Sequence, residues 1–346
     1  MANQNMTPKE HILELLQGRT VSPLLFLPAI YDYKAKLAGI PPHLFGMKSE
    51  DIVFAMEREL KESCSEVLTS GYDIYNVEAE ALGATIIRNE RTGMPDIKEP
   101  ILRTTDELSK LHRLITPSGR MNVFVDAAKT AVDRWGETIP VRGAISGPFS
   151  MASKLMASDD LIMGCIINPD GIKELLSICT QTAILYANAF LAAGAQVIVF
   201  DSFVVPPMLS PELYEEIVLP FHKEIFGFLK QNGVVWRPLI VGGDTRQIIP
   251  KLVETGANQL LIDYSVPLEE VTDILDKFPD TLFRYNLSPL LMQSPNVEDV
   301  INRVAEVAGY LKSKRNLILG TTVLPVSTPL CNITTARMEL KRLTSM

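Results

Sequence analysis

Short apolar runs closed by turn residues alternate along this chain with longer stretches in which apolar side chains return every third or fourth position. The first pattern predicts buried strands, the second helices with one buried face. Strands are expected at residues 21–27, 72–77, 138–146, 196–200, 234–241, 259–262, 281–285 and 316–319. Helices are expected between them at 49–68, 123–135, 171–193, 210–229, 246–255, 268–277 and 297–312, with a last one at 331–343. Thr7-Pro-Lys-Glu10 is a capping box with proline at the first helical position, so a short helix precedes the first strand and ends before Gly18.

Strands that alternate with helices pair in parallel through right-handed crossovers, and eight such units close a (β/α)8 TIM barrel. An open doubly wound sheet is the alternative, but no strand is followed by a GxGxxG or a P-loop. The expected α/β architecture is one barrel domain over 1–346, with a short N-terminal helical extension at 1–20 and a polar, turn-rich loop excursion at 88–120. The stretch Val235-Trp-Arg-Pro-Leu-Ile-Val-Gly-Gly-Asp-Thr245 shows the pattern in miniature. Its apolar run stops on two glycines, where backbone amides can approach a ligand, and Asp244 and Thr245 are placed to cap the helix at 246–255.

Composition narrows the partners. The chain has 346 residues, 47% of them hydrophobic, enough for a large core, and its net charge of -8 disfavours nucleic acid. Four cysteines without a CxxC suit a reducing compartment, and no apolar run approaches the roughly 20 residues that cross a bilayer. The opening Met1-Ala-Asn-Gln-Asn-Met lacks a basic segment followed by an apolar one. A soluble cytoplasmic protein with no membrane association is expected, and a homodimer is left open.

In a barrel the C-terminal strand ends converge on the active site. Here they supply Tyr31 and Asp32, Glu78 and Glu80, Ser146, Asp201, Gly242 to Asp244, Asp263 and Tyr264, Tyr285 and Asn286, and Thr321. Several carboxylates around one low-dielectric mouth cannot all stay ionised, so at least one should hold its proton near neutral pH. Each acid taken singly is equally able to cap a helix or pair with an arginine. His11, His43, His112 and His222 show no HxH, HxxxH or HxC spacing, so a zinc site of the Cys/His kind is not expected, and no metal ligand is assigned.

Beyond these patterns, the order and spacing of several short motifs resemble the uroporphyrinogen decarboxylase superfamily, and within it the corrinoid-dependent methyltransferases. The motifs are Thr7-Pro-Lys-Glu with Gly18-Arg19, Val77-Glu-Ala-Glu-Ala-Leu-Gly83, Gly147-Pro-Phe-Ser, Gly194-Ala-Gln-Val followed by Asp201, Leu209-Ser-Pro-Glu with Leu219-Pro-Phe-His222, Gly243-Asp-Thr, Asn286-Leu-Ser-Pro289, and Pro329 with Asn332. The resemblance implies a (β/α)8 barrel. True porphyrinogen decarboxylases carry arginines after strand one, where this chain reads Leu27-Pro-Ala-Ile-Tyr-Asp-Tyr33, so a polyanionic tetrapyrrole would meet an acid. In methyltransferases that activate a thiol acceptor, zinc sits on ligands whose matching positions here are Ile240, Gly242 and Thr321, so no zinc is expected.

The resemblance therefore implies a methyltransferase that moves a methyl group between a small methylated substrate, a methyl ether or methylamine, and the cobalt of a corrinoid carried by a partner protein. For that reaction the exit positions nominate Glu80, Asp201 and Asp244 as catalytic acids. Tyr31, Asp32, Asp263, Tyr264, Tyr285 and Asn286 are the corresponding substrate-binding candidates. A lyase acting on a small carboxylate is the alternative. It would need strand arginines, Arg142, Arg237 or Arg284, aimed inward. A non-catalytic binding protein on the same fold is the third.

Overall fold

The computed structural model describes residues 6–63, 65–90 and 93–345. Met1 to Asn5 and Cys64, on which two of the readings above touch, lie outside the described residues.

Eight parallel strands form the expected barrel: β1 (Phe26–Ala29), β2 (Leu68–Ser70), β3 (Val141–Ser146), β4 (Gln196–Phe200), β5 (Leu239–Ile240), β6 (Gln259–Ile262), β7 (Leu282–Leu287) and β8 (Leu317–Val323). They are hydrogen-bonded in the orders β2-β3-β4-β5 and β6-β7-β8-β1, and a parallel bridge between Pro238 and Gln259 joins the two groups. Among the described residues no ladder spans the β1–β2 seam. There the Phe26 N–H donates to the Glu66 carboxylate at 3.1 Å instead. A two-stranded antiparallel pair joins Ile86–Ile87, just before the predicted excursion, to Asp96–Ile97 within it.

Three layers of apolar packing follow from strand alternation. Outward-facing side chains such as Val197, Val199, Phe283 and Leu319 pack under the surrounding helices. Inward-facing Ala29, Ala144, Ile198, Phe200, Ile240 and Leu261 meet inside the barrel. At its N-terminal end the helix Pro8–Leu16 closes the bottom, packing Ile12 and Leu15 with Leu25, Leu27, Trp236 and Ile318. Thr7 and Glu10 make the predicted reciprocal cap. The helix Pro169–Ala192 is long and apolar enough to cross a membrane, but its apolar side chains, among them Ile172, Leu175, Leu176 and Phe190, are buried in the core.

Several elements differ from the sequence expectation: strand one is Phe26–Ala29 and not 21–27, strand five shortens from 234–241 to Leu239–Ile240, and the helices Pro148–Leu155 and Ser158–Ile167 were not expected. Strand two is Leu68–Ser70, not 72–77, because the helical pattern from Ser49 ends in a widened turn at Glu59–Ser63 and the strand begins where the helix was extended to. Residues 72–77 cannot be a strand, since Asp73 (φ 54) and Tyr75 (φ 80) are left-handed and Asn76–Ala81 is helical. The helix expected at 246–255 shortens to Ile249–Val253, because Asp244 pairs with Arg246 instead of capping, and the Thr245 hydroxyl turns back to the Leu261 carbonyl.

Candidate functional site

At the C-terminal ends of the strands lies a cavity of about 390 Å³, a size that suits a small ligand. Its wall is written by the period-two alternation of the strands. Phe200, Ile240, Leu261, Arg284 and Asn286 face it from β4 to β7, and Tyr31 and Asp32 reach it from the segment after β1. The strained turn after β2 adds Asp73, Tyr75 and Asn76, and Asp263 follows β6. Tyr31 stands edge-on to Phe200 with ring centroids 5.3 Å apart, which gives the cavity an aromatic waist. Tyr75 is fixed by its hydroxyl, 3.2 Å from Ser202 Oγ, which also accepts the Gly242 N–H at 3.1 Å.

Two carboxylates on the wall, Asp32 and Asp73, are held above the usual range, each at about 6. Burial is the main cause for both, and the neighbouring Asp73 charge raises Asp32 further. Their surroundings differ. Asp73 sits 2.8 Å from Arg120 Nη1 and accepts from Asn76 Nδ2. Among the described residues Asp32 has no cation within 4.0 Å, and its side chain caps no helix. Asp32 is thus the acid of the pair without an ion-pair partner.

Deeper in the barrel the charge reverses. Arg284 is 2% exposed and lines the cavity, with its Nε unpaired and the Tyr31 hydroxyl against its guanidinium. Gly320 on β8 makes this possible: a Cβ there would fall 2.7 Å from Arg284 Cδ. Arg142, 3% exposed, stacks its guanidinium 4.6 Å from the Trp236 ring centre and donates to Thr69 Oγ1 at 3.1 Å, leaving Nε and Nη1 unpaired. Burial and the neighbouring Arg284 charge pull the Arg142 guanidinium down to about 10. Arg237 instead faces outward and bonds the Val234 and Gly256 carbonyls.

Of the residues nominated by exit position, the structure brings Tyr31, Asp32, Asp263 and Asn286 to the cavity. The others lie elsewhere. Asp201 follows inward-facing Phe200, so it turns outward. It accepts from the N–H groups of Phe149 (3.2 Å) and Ser150 (2.7 Å), and its Oδ2 is 2.8 Å from His222 Nε2. A Cβ on Gly147 would meet that carboxylate at 2.4 Å. Glu80 pairs with Arg120 at 2.5 Å on the helix after β2, and Asp244 pairs with Arg246 at 2.5 Å beside the mouth. Tyr264 is 40% exposed on its loop. Tyr285 points into the helix layer, where Arg303 Nη2 donates to its hydroxyl at 2.6 Å. Asp73, Tyr75, Asn76 and Ser202 on the wall were not nominated, and Arg284 was named only for the lyase alternative. Alternation within β7 could have exchanged Tyr285 for Arg284.

The three positions matching the zinc ligands carry no metal-binding side chain: Ile240 and Gly242 line the cavity, and the Thr321 hydroxyl accepts the Ala29 N–H at 3.0 Å. Among the described residues no cluster of three His, Cys, Asp or Glu is placed to hold a metal ion.

This architecture defines a barrel enzyme class, and the chain belongs to the uroporphyrinogen decarboxylase (URO-D) family, whose sequence model matches residues 7–341. It is 26% identical over 271 residues to a methylcobamide:CoM methyltransferase of Methanosarcina mazei, covering 78% of this chain and 76% of that protein. A protein of the same name from Methanosarcina acetivorans is 26% identical over 68% of each chain. The uroporphyrinogen decarboxylase of Carboxydothermus hydrogenoformans is 29% identical over 67% of this chain and 65% of its own. A solved methyltransferase from Methanosarcina mazei superposes with a TM-score of 0.84 over 98% of this chain and 99% of its own, at 19% identity, which shows the shared fold. Family and relatives together mark an enzyme of the URO-D and methyltransferase class.

Proposed function

We propose that this enzyme moves a methyl group from a small methyl ether or methylamine to the cobalt of a corrinoid carried by a partner protein. The observation that carries the reading is Asp32, a cavity-wall carboxyl with no cation beside it and its proton held up to about 6. Removing a methyl group from an ether leaves an oxyanion, and a positioned acid that protonates it contributes typically about 10² to 10⁴ in rate. Asp73 is paired with Arg120, and burial first, then the nearby Asp73 charge, raises the Asp32 carboxyl. The names of the relatives, methylcobamide:CoM methyltransferases, support methyl transfer linked to a corrinoid.

The corrinoid supplies the nucleophile that takes the methyl group, and this chain's residues suit a carrier that docks at the mouth. Met208, Tyr264, Leu290 and Val323, exposed apolar side chains, all lie on the segments at or just after the ends of β4, β6, β7 and β8, around the cavity opening. Such a cluster of exposed apolar groups on one face marks an interaction surface. The cavity itself admits only the small donor. The lack of metal-binding groups at Ile240, Gly242 and Thr321 does not fit zinc activation of a thiol acceptor, so no step is assigned to a metal.

The test is spectroscopic. The purified enzyme is mixed with a reduced corrinoid protein and a panel of methyl ethers and methylamines, and the corrinoid spectrum is followed. Transfer from one donor class is expected, slowed about 10²-fold or more in Asp32→Asn for an ether donor. An undiminished rate in that variant removes Asp32 as the acid. The inward-facing Arg284 favours one second reading, a lyase acting on a small acid. Carbon dioxide release without any corrinoid would select it.

A further inference from the structure

Arg284 and Arg142 are two buried guanidiniums that reach one another electrostatically, and among the described residues neither has a carboxylate within 4.0 Å. The carboxylate whose field reaches Arg142, Glu59, is held instead by Lys34 at 3.2 Å. Three guanidinium nitrogens, Arg284 Nε and Arg142 Nε and Nη1, have no hydrogen-bond partner. Buried cations without a counter-charge are costly, and proteins retain them where an anion completes the site. Of the two, Arg284 lines the cavity.

Depth along the strand orders the charges. Arg284 is two residues below Asn286, about 6.6 Å at the usual strand rise, while Asp32 and Asp73 stand on segments beyond the strand ends. From the floor upward the cavity therefore presents the Arg284 cation, then the waist of Phe200, Tyr31, Ile240 and Leu261, then Asp32 and Asp73 beyond the strand ends, while the other cation of the lining, Lys154, is paired with Asp96 at 3.5 Å. On the functional reading above, we infer that the substrate is a small methylated carboxylic acid, with its carboxylate seated on Arg284 and its methyl-bearing atom turned to the mouth beside Asp32. Arg142, behind the floor, adds positive field without touching the ligand.

Isothermal titration of the enzyme alone tests the seat with matched acid and neutral compounds: methoxyacetate against methoxyethanol, methoxybenzoate against methoxybenzene, and dimethylglycine against dimethylaminoethanol. The acid of at least one pair should bind about 30-fold more tightly than its neutral mate. Arg284→Met should bring the two within about threefold, and Arg284→Lys should restore part of the preference. Neutral members binding as well as acids in every pair, an acid preference untouched by Arg284→Met, or no acid binding at about 10 mM overturns the inference. The readout needs no corrinoid partner. A carboxylate preference without methyl transfer therefore sinks only the functional reading, while transfer from neutral donors that ignores Arg284→Met sinks only the seat.

Discussion

Asp201 and Asp32 both follow a barrel strand, the first fully buried and the second partly exposed, and one has its partners in place while the other does not. Asp201 faces outward and spends its oxygens on two backbone N–H groups at the start of the helix Pro148–Leu155 and on His222. Asp32 faces the cavity with no cation in ion-pair contact, Lys34 acting only at a distance and being held by Glu59, and burial raises its pKa to about 6. Position after a strand does not separate a structural acid from a reactive one. The number of partners does, because a saturated carboxylate has nothing left to offer a substrate.

The largest expected effect lies on the saturated side. Asp201→Ala strips the Phe149 and Ser150 N–H groups of their acceptor and leaves His222 fully buried without its partner, at a cost of about 3–5 kcal/mol in unfolding free energy. Urea denaturation measures this, and a loss under about 1 kcal/mol would show that the network contributes little.

A smaller effect of opposite sign is expected at Asp32. Its folded pKa of about 6 lies above the ordinary aspartate value of 3.8, so the folded state binds the extra proton and stability falls as pH rises from about 4 through 6. Asp32→Asn removes that penalty. The variant should match the parent below about pH 4 and exceed it by up to about 2 kcal/mol at pH 7, a bound discounted for the partial exposure of the group and for its coupling to Asp73. Melting curves at three pH values check the sign. A variant less stable than the parent at pH 7 would mean that the carboxylate has a partner to lose.

The same distinction explains what could be read from the chain alone. The barrel was legible because eight apolar runs alternate with amphipathic stretches, and β4 and β6 begin and end where their runs do. Strand two was not, because Leu68–Ser70 continues the apolar spacing of the preceding helix without a break, and the two left-handed positions of the turn after Gly71 are occupied by Asp73 and Tyr75, not by glycines. The expectation of an acid with a raised pKa at the mouth matches Asp32 and Asp73, but burial is the main cause at both, and crowding of like charges adds to it at Asp32. Which acids do so depends on partners distant in sequence, such as Arg120 for Asp73 and His222 for Asp201, and no local spacing encodes them.

Strand β7 isolates this lesson in neighbouring residues. Arg284 and Asn286 face the cavity, and Tyr285 between them must face the helices, since successive side chains on a strand point to opposite sides. The Tyr285 hydroxyl accepts from Arg303 and donates toward the Tyr264 carbonyl at 3.3 Å, contacts that tie β7 to the helix Val297–Leu311. Tyr285→Phe should therefore cost about 1 kcal/mol in stability, the worth of an ordinary hydrogen-bonded hydroxyl, and leave the affinity for any ligand of the cavity within about twofold. Titration and a denaturation curve on the same variant separate the two. A large loss of ligand affinity with stability retained would mean that the tyrosine reaches the cavity after all, and the inward and outward assignment of the strand would have to be reversed.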